Sequence, residues 1–374
     1  MNRFGSLRYK LLSLVLIPLL LLSGTVIVAA YSWSSKYTYE QLFAKVHTDL
    51  RVAHDRFFDI KARGERQLEA IANSVQLVNA LELGDTELLN KRIGIESELG
   101  NFDFLNLLSS DGKKILDGQG WKAHQFRRTP LSEKVVSSRA ALTVSGIEIY
   151  SAAQWQHQPG LDGAKVSLPL LQTVRAVPTQ RQVEDRAMFI RTLRSVYDNS
   201  GDRVAILESG MLLNRNFEFV DGIRDLVYGP GSLTPDSRGT VTVFLDDVRI
   251  TTNVLLEDRS RALGTRVSAE VRDAVLGRGE TWVNRAFVVN DWYVSAYEPI
   301  IDSAGERVGM LYAGYLEAPF RADQFKAFSA LTALVLAGSL AAAIAAIMGA
   351  RSIFSPIETM TSVVEQHPRV SISE

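Results

Sequence analysis

Between Lys10 and Lys36, and again between Lys326 and Arg351, the chain carries no charged side chain, and its apolar residues concentrate in those two stretches. Residues 11–31 are dominated by Leu, Val and Ile. About 20 apolar residues rising 1.5 Å each cross a hydrocarbon core of roughly 30 Å, so this stretch predicts a transmembrane helix. A membrane helix tolerates Pro18 better than a soluble one does. Arg3, Arg8 and Lys10 precede the stretch, which puts residues 1–10 in the cytoplasm by the positive-inside rule. Val28-Ala29-Ala30 offers the competing reading of a signal-peptide cleavage site, but the apolar run is longer than the usual h-region. Under either reading the chain beyond this stretch is exported. Residues 327–350 are too long for an ordinary buried core helix and predict a second span. Within it Gly338, Ala342 and Ala346 form a small-residue stripe that lets helices approach closely. Both termini are then inside and residues 32–326 outside.

The exported region opens with helical periodicity. Val46, Leu50, Ala53, Phe57, Ile60, Gly64, Ile71, Val75 and Val78 follow alternating steps of three and four, with one weak step near Gln67. The spacing predicts a long helical stalk over 32–98, uninterrupted before Gly84-Asp85. Its apolar stripe packs either on its own domain or on a second copy.

Beyond about residue 100 the period shortens to that of strands. Phe102 to Leu108, a Ser110-Asp111-Gly112 turn and Lys113 to Leu116 read as one hairpin. Thr240 to Leu245, Asp246-Asp247 and Val248 to Val254 read as another. An internal repeat is more informative. Asp198-Asn199-Ser200-Gly201-Asp202-Arg203-Val204-Ala205-Ile206-Leu207 parallels Asp302-Ser303-Ala304-Gly305-Glu306-Arg307-Val308-Gly309-Met310-Leu311. Each copy follows a strand (Met188 to Tyr197, then Trp292 to Ile301) and opens another. Asp starts such a turn through its side chain and Gly supplies the positive φ. The repeat predicts one module used twice, over 99–235 and 236–322. Each module reads as hairpin, helical connection and antiparallel strands; in the second, the helix is Val267 to Leu276 and the next strand Thr281 to Val289. The expected fold class is α+β: a long N-terminal helix and two antiparallel-sheet modules, flanked by two transmembrane helices.

Composition narrows the function. The 374 residues are 46% hydrophobic and 22% charged with a net charge of -1, which gives no reason to expect nucleic acid as a partner. The mean hydropathy of +0.03 is slightly high for a soluble protein. With no cysteine there is no disulfide framework, thiolate metal site or cysteine nucleophile.

Gly264-Thr265-Arg266-Val267, the strand Trp292-Tyr293-Val294-Ser295-Ala296-Tyr297-Glu298-Pro299-Ile300 and the segment Asp302 to Tyr315 resemble the last half of a Cache domain. The long helix with two modules is similar to the double-Cache arrangement, and this resemblance takes in most of the chain. It implies a PAS-like extracytoplasmic sensor of the kind found in bacterial histidine kinases, chemoreceptors and cyclic-di-GMP enzymes, acting as a homodimer in the inner membrane. It also implies that 99–235 is the membrane-distal module, which usually holds the ligand, and 236–322 the membrane-proximal one. Arg351, Ile353, Pro356, Ile357, Met360 and Val364 resemble the opening helix of a HAMP linker, so 351–374 is expected to be a partial HAMP segment. The chain stops at Glu374 before any output domain and is read as a truncated product or fragment.

No catalytic constellation emerges. His47 and His54, seven apart on the stalk, lack enough converging ligands for a metal. His367 is followed by Pro368 and lacks the neighbours of a phosphorylated histidine. Tyr228-Gly229-Pro230-Gly231 is a loop without GxGxxG spacing. The expectation is no cofactor, no metal and no enzyme in this chain. Ligand contacts are sought instead on the strand Met188 to Tyr197, where Arg191 and Arg194 point to opposite faces. One of them would face the pocket and clamp a carboxylate. Trp121, Tyr150, Trp155 and Tyr197 could wall it. Arg249, Arg266, Trp282 and Tyr297 form a rival set in the second module.

The chain is therefore read as a small-molecule sensor and transmembrane signalling region, foremost of a two-component histidine kinase. The alternatives are a chemoreceptor or cyclic-di-GMP front end, a membrane-tethered binding protein without output, and a structural adaptor.

Overall fold

The computed structural model describes residues 3–365 except 101, 118, 139, 157, 159, 160, 235 and 236; the side chains of 3–12, 350, 351 and 353–365 lie outside the description. His367 and the rest of 366–374 therefore fall outside it, as do the side chains of the HAMP-like spacing. Two compact units result: Leu42–Ala318, and the helical residues on either side of it. In the latter unit two helices are long and apolar enough to cross a membrane. They are the first part of α1 (Arg3–Ala72), with Pro18 inside it, and α9 (Ala318–Glu365), and they meet where Tyr31 contacts Phe328 edge-on at 5.0 Å.

The expected single stalk is three helices. α1 ends at Ala72; Ser74 then caps α2 (Val75–Leu83) by accepting from Leu77 N–H. Gly84, at φ 68°, ends α2, and Asp85 caps α3 (Thr86–Leu99). Serine competing for backbone donors breaks the helix without a proline. The weak step near Gln67 is filled by Leu68, fully buried between Gly64 and Ile71.

The first sheet takes β1 (Phe104–Ser109), β2 (Lys114–Asp117) and β3 (Gly120–Ala123). After α4 (Pro130–Ser137) come β4 (Thr143–Tyr150), the single turns α5 (Ala152–Trp155) and α6 (Gly163–Val166), and a two-residue pair β5 (Leu168–Pro169) and β6 (Val183–Glu184). The long strands β7 (Ala187–Tyr197) and β8 (Arg203–Leu212) complete it, in the order β3-β2-β1-β8-β7-β4. α7 (Phe217–Val227) leads to the second sheet: β9 (Gly239–Leu245), β10 (Val248–Thr252), β11 (Trp282–Val288), β12 (Asp291–Ile301) and β13 (Arg307–Leu316), in the order β10-β9-β13-β12-β11. All pairings are antiparallel. Without β3, the first sheet repeats the order of the second strand for strand, with β4 in the place of β11. The expected helix Val267 to Leu276 is one α-turn, α8 (Ala269–Arg272), running into a π-turn over Asp273–Arg278.

The repeated turns match atom for atom. Asp198 Oδ1 accepts from the N–H groups of Ser200 and Asp202, and Asp302 Oδ1 from those of Ala304 and Glu306. Gly201 and Gly305 sit at φ 86° and 89°. The second turn has a further role. β4 is the edge of the first sheet, and Ser303 N–H donates to Ile147 O on it at 3.0 Å.

The apolar stripe of α1 packs on its own domain. Leu68, Ile71 and Ala72, with Leu77 of α2 and Leu89 of α3, cover one face of the first sheet at Leu105, Leu107, Val196, Ala205 and Leu207. Further back, Phe57 meets Phe219 of α7 at 5.5 Å, and Leu42 O accepts from Tyr315 Oη. The other face of the first sheet is covered by α4 through Leu131 and Val135, and by Trp155 and Val166. In the second sheet Phe244, Tyr297, Met310 and Tyr312 pack under Val271, Ala274 and Val275.

Candidate functional site

β7 places Arg191 and Arg194 on opposite faces, as alternation requires. Arg194 turns towards the helices. It donates to Asn73 Oδ1 (3.2 Å) and Thr143 Oγ1 and lies 3.4 Å from Glu69. Arg191 turns inward under α4 and α5 and is 0% exposed. Its Nε and Nη2 reach Glu208 Oε1 of β8 at 2.7 and 2.6 Å, and its Nη1 reaches Glu148 Oε2 of β4 at 3.0 Å. Asn106 Nδ2 donates to the other oxygen of Glu208 at 3.1 Å. Glu148 Oε1 accepts from Thr129 Oγ1 (2.5 Å) and from Ser303 Oγ of the second-sheet turn (3.1 Å). Arg127 Nε stands 3.6 Å from Glu148.

Burial by itself would push the Arg191 pKa down; the charges of Glu208 and Glu148 more than offset that and hold it above its ordinary value. The expected open clamp is thus closed from within. Both edges of the guanidinium already hold carboxylates of the chain, and a ligand carboxylate must displace one.

Of the aromatic residues expected beside it, two share this face. Tyr150 stacks edge-on against Phe189 at 4.9 Å with the Arg127 guanidinium 4.2 Å over its ring, and its buried Oη has no hydrogen-bond partner among the described residues. Burial, then the charge of Glu208, raises the Tyr150 pKa. Trp155 is buried in the same cluster and donates Nε1–H to Asp185 O at 2.8 Å. Trp121 instead packs at the helix-covered face, and Tyr197 ends its strand with Oη on Ala140 O. They are not part of one pocket with Arg191.

The sequence reasoning missed Glu148, Glu208 and Asn106. Glu208 had a signal, being the one charge in the run Val204-Ala205-Ile206-Leu207-Glu208-Ser209. A charge inside an apolar strand needs a partner.

The rival set divides in a different way. Arg266 is committed to Asp247, with Nε and Nη2 at 3.1 and 2.6 Å from its two oxygens. Tyr297 is buried against Tyr312, ring centroids 4.7 Å apart. Arg249 is only 2% exposed, lies 5.0 Å over the Phe244 ring, and donates Nη1–H to Thr265 Oγ1. Among the described residues its Nε has no acceptor and no carboxylate pairs with it. Burial lowers its pKa, offset only in part by the tyrosine oxygens of Tyr297, Tyr312 and Tyr293. Antiparallel register puts Trp282, Tyr297, Tyr312 and Thr242 in one row, with Phe244 and Arg249 in the next row on that face. Trp282 Nε1 is another buried donor without an acceptor among the described residues. Native proteins satisfy nearly all such groups, and a buried cation needs an anion. Arg249 is thus a buried cation among aromatic rings on the face of the second sheet that packs under Val271, Ala274 and Val275. Among the described residues, no group of three His, Asp or Glu is placed to hold a metal.

Residues 211–326 match the family described as single cache domain 3, a sensory and not a catalytic module. The match takes in α7, the whole second sheet and Arg249. Among solved structures, the periplasmic domain of Vibrio cholerae LuxQ aligns with TM-score 0.40 and 14% identity over 72% of this chain and 98% of that one. A domain of a sensory box/GGDEF family protein from Vibrio parahaemolyticus gives 0.40 and 11% over 76% and 97%. The sensory domain of the Campylobacter jejuni chemoreceptor Tlp3 with isoleucine bound gives 0.37 and 9% over 77% and 94%. A comparison with curated protein sequences gives no match.

Proposed function

We propose that the chain is the sensory and membrane-spanning part of a bacterial receptor in which residues 236–322 bind a small carboxylate against Arg249. In this reading residues 11–31 and 327–350 cross the inner membrane with both termini in the cytoplasm. Residues 32–98 form the stalk, 99–235 and 236–322 are tandem Cache modules in the periplasm, and 351–374 begin a HAMP linker. The output is foremost a histidine kinase, with a chemoreceptor or cyclic-di-GMP enzyme as alternatives, and the receptor works as a homodimer. The observation that carries the binding claim is the buried Arg249 guanidinium with no carboxylate partner among the described residues, inside the Cache-matching stretch. A carboxylate there would supply the missing charge, and β13 runs directly into α9. Ligand binding biases signalling only through its differential affinity for two states of that exit strand. A second reading keeps the ligand in the first module, favoured by the unpaired Tyr150 hydroxyl; there it would displace Glu148 or Glu208 from Arg191.

The test is thermal unfolding of the full chain in lipid nanodiscs against short carboxylates, amino acids and the matching neutral amides. Saturating ligand at about 100 times Kd adds about 2.7 kcal/mol. That raises Tm by several degrees. Arg249→Met should abolish the response and leave the unliganded protein no less stable, since it removes an uncompensated buried charge. A response kept in Arg249→Met and lost in Tyr150→Phe assigns the ligand to the first module. No response from well-folded protein sinks the carboxylate-sensor reading.

A further inference from the structure

Away from both sheet interiors, a cavity of about 690 Å³ opens between α1 and the connection from β8 to α7. Four cations line it: Arg56 and Arg63 of α1, Lys165 of α6, and Arg215 of the connection. Two carboxylates share the wall, Asp103 and Glu218. Three of the cations are partnered. Asp59 accepts from Arg56 at 2.7 Å and from Arg63 at 3.5 Å, and Lys165 lies 3.5 Å from Asp103. Arg215 differs. Its one side-chain hydrogen bond among the described residues runs from Nη2 to Ser167 O at 3.5 Å, its buried Nε has no acceptor, and no carboxylate among them pairs with it.

The backbone holds Arg215 in this position. It adopts φ 54°, a left-handed conformation that a non-glycine residue rarely takes, while its N–H donates to Ile250 O of the second sheet at 2.9 Å. Asn216 then caps α7 by accepting from Phe219 N–H, and Glu218 follows in the first turn. Helix dipole and cations therefore act in the same direction on whatever occupies the cavity. The carboxylates present leave the wall with more positive than negative groups, and the Arg215 Nε donor has no oxygen to bond to among the described residues.

We propose that this cavity is a second ligand site, taking a small oxygen dianion (inorganic phosphate or a short dicarboxylate) on Arg215, Arg63 and Lys165. The dianion spans from α1 to the connection between the two sheets and fixes one against the other. This proposal is independent of the Arg249 site.

The experiment uses the full chain in nanodiscs, with inorganic phosphate and succinate titrated at constant ionic strength against chloride, followed by Tm and by calorimetry. A saturable rise in Tm with one of the two, absent with chloride, is expected, and which one responds decides between phosphate and dicarboxylate. Arg215→Gln should weaken Kd at least tenfold, and Lys165→Gln, on a more exposed side chain, about threefold. Arg249→Met should leave Kd unchanged, as should Arg128→Gln on an exposed surface elsewhere. An equal Tm rise with chloride, an unaltered Kd in both Arg215→Gln and Lys165→Gln, or loss of binding in Arg249→Met would overturn the proposal. If Arg215→Gln does not fold, Lys165→Gln carries the decision alone.

Discussion

Replacing Arg191 by leucine removes the only cation among the described residues that both Glu148 and Glu208 reach within 3.0 Å, and leaves two buried carboxylates with Arg127, 3.6 Å from Glu148, as the remaining nearby cation. Taking away one member of a buried pair costs about 3–5 kcal/mol, because the remaining charge is uncompensated. Here one guanidinium serves two carboxylates, so about 5 kcal/mol is the expected loss. Each kcal/mol moves Tm by about 2 °C in a folding unit larger than two hundred residues, so Arg191→Leu should melt about 10 °C below wild type. Exchanging all three groups for uncharged ones (Glu148→Gln, Arg191→Leu, Glu208→Gln) should recover most of the loss. The assay is intrinsic-fluorescence melting of the full chain. A variant melting within about 2 °C of wild type, or a triple exchange that recovers none of the loss, would refute the view that this network is closed and internally balanced.

Asp49, on α1 outside the predicted span, has its pKa raised by burial, which Lys45 only partly offsets. A raised folded-state pKa means stability present below the ordinary carboxylate range is lost as pH rises through it. Asp49→Asn should therefore gain on wild type between about pH 4 and 7, read as a growing Tm difference. Gly309→Ala should cost about 3 kcal/mol, because its Cβ would stand 2.0 Å from the Phe244 carbonyl oxygen on the neighbouring strand; urea unfolding at unchanged slope measures it. Leu68→Ala should cost about 3 kcal/mol by the same assay, since Leu68 is fully buried where α1 meets the first sheet.

The elements that could be read in the sequence were those whose pattern is local. Two charge-free runs, the three-and-four stripe of α1 and the twin Asp-x-x-Gly turns each depend on neighbours within a few residues, and the structure has helices and turns there. The break at Asn73-Ser74 was missed because serine looks ordinary inside a helix until its side chain caps the next one. β4 was missed although Thr143-Val144-Ser145-Gly146-Ile147-Glu148-Ile149-Tyr150 alternates clearly, because the first module was expected to bridge its hairpin and strands by helix alone. The partners of Arg191 depend on register. Glu148 sits two residues along β4 from Gly146, which opposes Arg191, and Glu208 two residues along β8 from Gly210, which opposes it on the other side. No local pattern encodes that. The same holds for Arg249, where the informative fact is the absence of a nearby carboxylate among the described residues.

The hydrogen bonds of Ser303, one to the β4 backbone and one to Glu148, set a limit on how far the two sheets can be treated as separate pieces. Two modules alike in strand order look exchangeable, as beads on a string would be. Here the turn between β12 and β13 donates one N–H to the edge strand β4 of the first sheet and supplies a hydroxyl to the buried carboxylate of Glu148. Removing the second sheet would take a hydrogen bond from the edge strand β4 and leave Glu148 one donor short. Replacing Ser303 by a residue without a hydroxyl would remove the second of these bonds alone. The two sheets therefore belong to one packed unit, Leu42–Ala318, and Ser303 is one of the residues that tie them together.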